Sequence, residues 1–237
     1  MVNHTTGQHI DMPTVAIVSQ KGGAGKTTLA IHLAAAAQAA GRVALIVDTD
    51  PQATASQWSH WREGRAPEVI DCGAPALLVR KISQAMELGA EFVVIDTPPH
   101  AEAMAREACR AADLLLIPCR PRTFDLTAAR TTADLARATG KPAFVVFVAG
   151  PPKASVLYAE AAEVIQAAGL PVAPVMLPER ADFHHSTGNG QTAQEYAPAG
   201  KAAADVEALW RWTQQQVEWS AIQQADTSTK KPVRRRA

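Results

Sequence analysis

Short apolar, β-branched runs recur along the chain, separated by longer alanine-rich stretches. The strand candidates are 14–19, 43–47, 92–95, 114–117, 143–148 and 172–176. Each is too short for a helix and lacks the polar alternation of a half-exposed strand, so both faces should be covered. Between them, 26–40, 76–88, 101–110, 126–139 and 154–168 have helical length, and Gly41, Gly89, Gly140 and Gly169 stand where helix ends favour glycine. The alternation predicts β-α-β units, hence an α/β fold with a mostly parallel twisted sheet and helices on both faces. A last helix is expected over about 201–223, with Val206, Leu209, Trp210, Val217 and Ile222 on its apolar stripe and Trp212 and Trp219 off it. Residues 1–12 read as an N-terminal extension, 13–223 as one domain and 224–237 as a basic, disordered tail.

Composition narrows the class. With 47% hydrophobic and 19% charged residues, the 237-residue chain has the make-up of a globular domain and not of a disordered one. Its apolar runs fall far short of the roughly 18 residues a membrane-spanning helix needs. The first residues show no secretory pattern, so a cytoplasmic chain is expected. Cys72, Cys109 and Cys119 form no C-x-x-C pair and read as buried, reduced thiols. The formal charge of zero hides an asymmetry: Lys230, Lys231, Arg234, Arg235 and Arg236 are five of the 23 Lys and Arg, leaving 18 against 23 Asp and Glu. An acidic body with a basic end does not coat DNA with its whole surface, although a local patch can still touch a polyanion.

The chemistry begins directly after the first strand, at Gln20-Lys21-Gly22-Gly23-Ala24-Gly25-Lys26-Thr27-Thr28. A glycine-rich turn feeding a helix lets backbone N–H groups converge on phosphate oxygens, and the helix end adds partial positive charge. Lys26 is placed to reach the β- and γ-phosphates of ATP, and the Thr27 hydroxyl to ligate Mg²⁺. This is the signature of a P-loop NTPase. Two acidic segments, DTDPQ with Asp48 and Asp50 and IDTPP with Asp96, follow hydrophobic strands at the sheet edge where such folds bind ligands. Asp96 is the candidate for a water-mediated Mg²⁺ contact. Lys21, at the head of the loop, has no evident use for its own subunit's phosphates.

With that second lysine, K-G-G-x-G-K-T-T resembles the ParA/MinD family of deviant Walker A ATPases, over roughly residues 13–222. The resemblance implies that Lys21 reaches the nucleotide of a partner subunit. It also implies that Asp50 helps place the attacking water near the metal and that Asp48 supports the metal's surroundings. IPCRPRTFDLTAA at 117–129, and Trp58 soon after DTDPQ, look like the short partition-type ParA proteins. For such a protein one expects slow conversion of ATP to ADP, an ATP-bound homodimer, non-specific DNA binding on the nucleoid, no membrane, and a ParB-like or other adaptor that stimulates hydrolysis. The cargo, whether plasmid, chromosome or another body, is left open.

Less marked sites follow. The adenine pocket is expected at 149–151 and 177–180, including Pro178. Arg180 resembles a DNA-contacting arginine of the family, with Lys201 or Arg211 as companions. His184 and His185 lack a third ligand for a metal. The short segment ahead of the P-loop leaves no room for a helix-turn-helix, so operator recognition is not expected. A dethiobiotin-synthetase-like ligase is the competing class, but such enzymes generally lack the paired lysines. A MinD-like membrane ATPase would need an amphipathic basic end, and 233–237 has no apolar face. An iron–sulfur carrier of this superfamily would need closely spaced cysteines.

Overall fold

The computed structural model describes residues 12–229, with side chains through 218. Seven parallel strands form one sheet: β1 (Thr14–Ile17), β2 (Ala44–Asp48), β3 (Glu68–Asp71), β4 (Phe92–Asp96), β5 (Leu114–Cys119), β6 (Ala143–Val148) and β7 (Val172–Leu177). Their order is β3-β2-β4-β1-β5-β6-β7. Around them lie α1 (Lys26–Ala39), α2 (Thr54–Trp61), α3 (Leu78–Glu87), α4 (Glu102–Ala111), α5 (Thr123–Thr139), α6 (Ser155–Ala167), α7 (Ala181–Thr187), α8 (Ala193–Tyr196) and α9 (Lys201–Thr229).

Burial on both faces explains the continuous apolar strands. In β1 and the residue after it, Val15 and Ile17 join the core beneath α1 and α9, while Ala16 and Val18 join the one beneath α3 and α4. A third cluster, including Ile117, Val145 and Ile165, packs α5 and α6 on the outer strands. From Leu29 to Ala37 every residue of α1 is buried, and small alanines let the helix lie close against sheet and α9 at once. The four glycines expected at helix ends all take left-handed φ, at 85°, 90°, 66° and 79° for Gly41, Gly89, Gly140 and Gly169.

Several elements differ from the expectation. Trp212 is buried like Trp210, because each reaches a different strand: Trp210 meets Phe92 and Trp212 meets Phe144 edge-on, both at 5.0 Å between ring centres. The last helix runs on to Thr229, so 224–229 continue α9 instead of starting a disordered tail. The side chains of Trp219 and Ile222, the rest of the tail and residues 1–11 lie outside the described residues. Strand β3 and helices α2, α7 and α8 were not foreseen, since β3 is an edge strand with exposed Glu68 and Asp71 and the helices are short and polar. Helix α5 starts three residues earlier than expected, which places Asp125 in its first turn.

The three cysteines are free and buried, as expected. Burial pushes the thiols of Cys109 and Cys119 up to about 12, so both stay protonated and unreactive at neutral pH.

Besides Lys26 at its first position, α1 buries a second polar residue in its interior, His32. His32 Nδ1 is 2.8 Å from the Thr28 carbonyl oxygen, and Nε2 accepts the Ala193 N–H at 3.1 Å. Both bonds require the neutral ring with its proton on Nδ1. Burial accordingly pushes its pKa down to about 4. Between pH 6.5 and 4 the unfolded chain takes up a proton that the native ring refuses, so stability falls as pH falls through that window, by about 3 kcal/mol. Asp96, whose pKa burial raises from 3.8 to about 7, works in the opposite sense across that whole range. The measurement is therefore a difference: denaturant midpoints at pH 7 and 4.5 for the chain and for His32→Leu. The variant is expected to be weaker at pH 7 but to lose less on acidification; equal losses would remove His32 from the account.

Candidate nucleotide-binding site

The strand register builds the site. Asp48 at the end of β2 lies level with Asp96 of β4 on one side and Asp71 of β3 on the other, and Ile17 of β1 lies level with Asp96. Residues 18–25 leave the central strand β1 at this same edge, with Gly22 and Gly23 exposed and Ala24 buried. Gly25 precedes α1 with φ 89°, and a Cβ there would stand 3.3 Å from Val148 Cγ2. Both the backbone sign and the space call for glycine. Short bonds fix the neighbouring strand ends: Thr97 donates its hydroxyl to the Ile17 carbonyl oxygen and Thr49 to that of Asp96, each at 2.7 Å.

Lys26 is buried, and its Nζ donates to the Lys21 carbonyl oxygen at 3.2 Å. Burial lowers its pKa, while Asp96 and then Asp50 pull it back up, so both carboxylates lie within its electrostatic reach. Asp96 is 1% exposed, and neither carboxylate oxygen has a hydrogen-bond partner of good geometry. Burial raises its pKa to about 7; Thr27 and Lys26 oppose the rise, while Asp48 and Asp50 add to it. A buried carboxylate with no well-formed hydrogen bond among the described residues, with the Thr27 hydroxyl beside it, suits a divalent cation.

Asp48 and Asp50 have different surroundings. Asp48 Oδ1 accepts the Asp50 N–H at 3.1 Å, and Oδ2 accepts the N–H and hydroxyl of Ser56 at 3.0 and 3.2 Å. Burial still raises its pKa. What Asp48 visibly supports is the loop that carries Asp50. Asp50 Oδ1 in turn accepts the Gln52 N–H at 2.9 Å, which holds the half-buried acid in a tight turn facing the phosphate loop.

Beside the loop opens a cleft of about 270 Å³ lined by Gly25, Thr28, Ala149, Pro178, Glu179 and Phe183 among others. It lies beside the N-terminus of α1, next to Gly25 and Thr28. Of the two segments expected to form the adenine pocket, the cleft takes Ala149 and 177–180, whereas Gly150 packs against Tyr158 and Pro121. Arg120, Arg122, His184 and Thr187 complete the wall. They come from the β5–α5 loop and α7, and no local pattern marks them as lining one cleft. Arg180, the last residue of 177–180 and also a candidate DNA contact, lines the cleft and is paired with Asp205 at 2.5 Å. Arg211 pairs with Glu207 on the same helix, and Lys201 is exposed at the start of α9.

A glycine loop between a central parallel strand and a buried helix, with a buried lysine and an unpartnered aspartate, defines a P-loop nucleotide-binding protein. The chain belongs to the CobQ/CobB/MinD/ParA nucleotide-binding domain family, whose model matches residues 15–193. It is 29% identical over 203 residues to "Maintenance of carboxysome distribution protein A" of Halothiobacillus neapolitanus, covering 81% of this chain and 91% of that one. Among solved structures, the McdA–ATP complex from Cyanothece superposes with a TM-score of 0.69 at 19% identity, covering 87% of this chain and 97% of that one. The pNOB8 ParA bound to nonspecific DNA superposes with a TM-score of 0.68 at 16% identity, covering 87% and 98%. At those identities the structures speak for the fold. The ParA/MinD members of this family are ATPases, and this chain is an ATPase of that type.

Proposed function

We propose that the chain is an ATP-driven positioning switch that acts as a pair of identical subunits on DNA. The observation that carries this reading is the unequal placement of its two loop lysines. Lys26 is buried beneath the loop, within reach of Asp96 and Asp50, while Lys21 stands at the rim with 35% of its side chain exposed. One buried lysine serves the phosphates of its own site. A second cation at the rim is available to the nucleotide of a facing copy. Thr27 and Asp96 would hold Mg²⁺, which neutralises phosphate charge when bound, and Asp50 would orient the attacking water. Loss of the γ-phosphate contacts then loosens the pair.

The likeness to a protein named for carboxysome distribution supports cargo positioning, and the likeness of fold to a ParA on nonspecific DNA supports a nucleoid track. A partner protein on the cargo would stimulate hydrolysis. Among the described residues no helix is long and apolar enough to cross a membrane.

The test is co-sedimentation with random-sequence DNA, and in parallel with anionic liposomes, with and without a non-hydrolysed ATP analogue. Binding to DNA is expected only with the analogue, without sequence preference, and with log K falling by about 0.9 per neutralised phosphate against log salt. Lys21→Ala should bind nucleotide yet stay monomeric and leave DNA in the supernatant. Equal binding without nucleotide, preference for one short sequence, or normal pairing by Lys21→Ala would overturn the reading. Pelleting with liposomes alone would replace the DNA track by a membrane.

A further inference from the structure

Lys21 has a partner within its own chain. Its Nζ lies 2.6 Å from Oδ2 of Asp125, in the first turn of α5. Asp125 is 6% exposed, and its other carboxylate oxygen is buried without a hydrogen-bond partner. Among the described residues Lys21 is the cation paired with this enclosed carboxylate, and the charge-assisted bond satisfies one of its two oxygens. The attachment is reinforced one step away: Thr132, two turns further along α5, accepts the Gln20 N–H at 3.4 Å. Helix α5 therefore grips the head of the phosphate loop at two successive residues, once by backbone and once by charge.

This grip conflicts with the role given to Lys21 above. An incoming phosphate would meet a neutral Lys21–Asp125 pair instead of a free cation. Keeping the pair intact would also bring a buried carboxylate towards the phosphates, like charge against like.

We propose that Asp125 is a positioning residue that restrains Lys21 in the single subunit, so that pairing over ATP requires the partner's phosphates to displace it. The proposal rests on the pairing reading of the previous section. It makes the unpaired state the resting one without any blocking segment. Because Lys21 is one-third exposed, water screens the bond, and its release should weaken pairing by roughly fivefold per lysine. Two lysines are released for each pair formed, so the effect on the dissociation constant is roughly ten- to thirtyfold.

The experiment uses the full chain, Asp125→Asn, Asp125→Glu and the double variant Lys21→Gln/Asp125→Asn. Mass by light scattering is followed against protein concentration with a non-hydrolysed ATP analogue, and acetylation of Lys21 is followed by mass spectrometry in nucleotide-free protein. Asp125→Asn is expected to pair at roughly tenfold lower concentration and to expose Lys21 to faster acetylation. Asp125→Glu, which retains the charge, should stay closer to the parent chain, and the double variant should show no gain. A parent chain that pairs while Asp125→Asn pairs equally or less well overturns the restraint alone. If parent and variant both remain monomeric at every concentration, the pairing reading itself fails, and the restraint with it.

Discussion

Replacing Asp50 by alanine is expected to leave ATP binding nearly unchanged and to slow hydrolysis by about 10²–10⁴-fold, the usual contribution of a group that orients the attacking nucleophile. The expectation follows from the proposed division of roles at the sheet edge. Lys26, Thr27 and Asp96 would meet phosphate and metal, and none depends on Asp50 for its place. Asp50 sits in a turn tied to Asp48 and Gln52, close enough to influence Lys26 but with its own chain entering from β2. Lys26→Ala is the contrasting control, because it should lose nucleotide affinity itself. Single-turnover hydrolysis with calorimetric binding separates the two outcomes. A rate for Asp50→Ala within twofold of the parent would assign the water-orienting role elsewhere. On DNA, the slow variant should persist as a bound pair.

Glu195→Ala is expected to be the most damaging single change away from the nucleotide. Arg62, at the end of α2, is 1% exposed, stacks over Trp58 at 4.5 Å, and meets Glu195 of α8 through two nitrogens at 2.8 and 2.9 Å. The same guanidinium reaches the Gly190 carbonyl oxygen at 2.9 Å. Burial would raise the Glu195 pKa, but hydrogen bonds from Arg62 and from Thr192 outweigh it and hold the carboxyl below its ordinary value. Removing the carboxylate leaves a buried guanidinium without its counter-charge. Such losses cost about 3–5 kcal/mol, and partial exposure of Glu195 puts this one near 3. For a domain of this size that is roughly 6–12 °C in melting temperature. The double change Arg62→Leu/Glu195→Leu should be milder than Glu195→Ala, since no lone charge remains. Thermal unfolding of the three chains decides it; a double variant worse than the single one would mean that shape, not charge, governs the site.

Local signals were legible and assembled ones were not. The phosphate loop could be read because Gln20 to Thr28 carry glycine, lysine and threonine at fixed offsets between a strand and a helix. Five strands could be read because burial leaves unbroken apolar runs, and the edge strand β7 because its residues stay apolar although Pro174 and Met176 are exposed; β3 could not, since Glu68 and Asp71 are exposed at the other sheet edge. Aspartates ending β2 and β4 were visible one by one, and only the register sets Asp48 beside Asp96. The far wall of the cleft comes from the β5–α5 loop and α7, with Arg120, Phe183 and His184 lining it together with Thr28. Lys21 and Asp125 lie 104 residues apart, and no spacing announces their contact. Arg180 was legible only as a member of segment 177–180; its pairing with Asp205 of α9, 25 residues on, has no local signal.

The enclosure of α1 determines which parts of the molecule can respond to a nucleotide. A helix without a free face has nowhere to slide, so the amino end that meets the phosphates behaves as a fixed jaw. The opposing jaw is the exposed turn at Pro51 and Gln52, tethered by Asp48 and leading into the short helix α2. The exposed turn at 51–52 and the short helix after it therefore have room to shift that the enclosed α1 lacks. Trp58 and Arg62 bind that segment to α8 and the 190–191 backbone, which joins the turn after β2 to a surface well outside the phosphate loop.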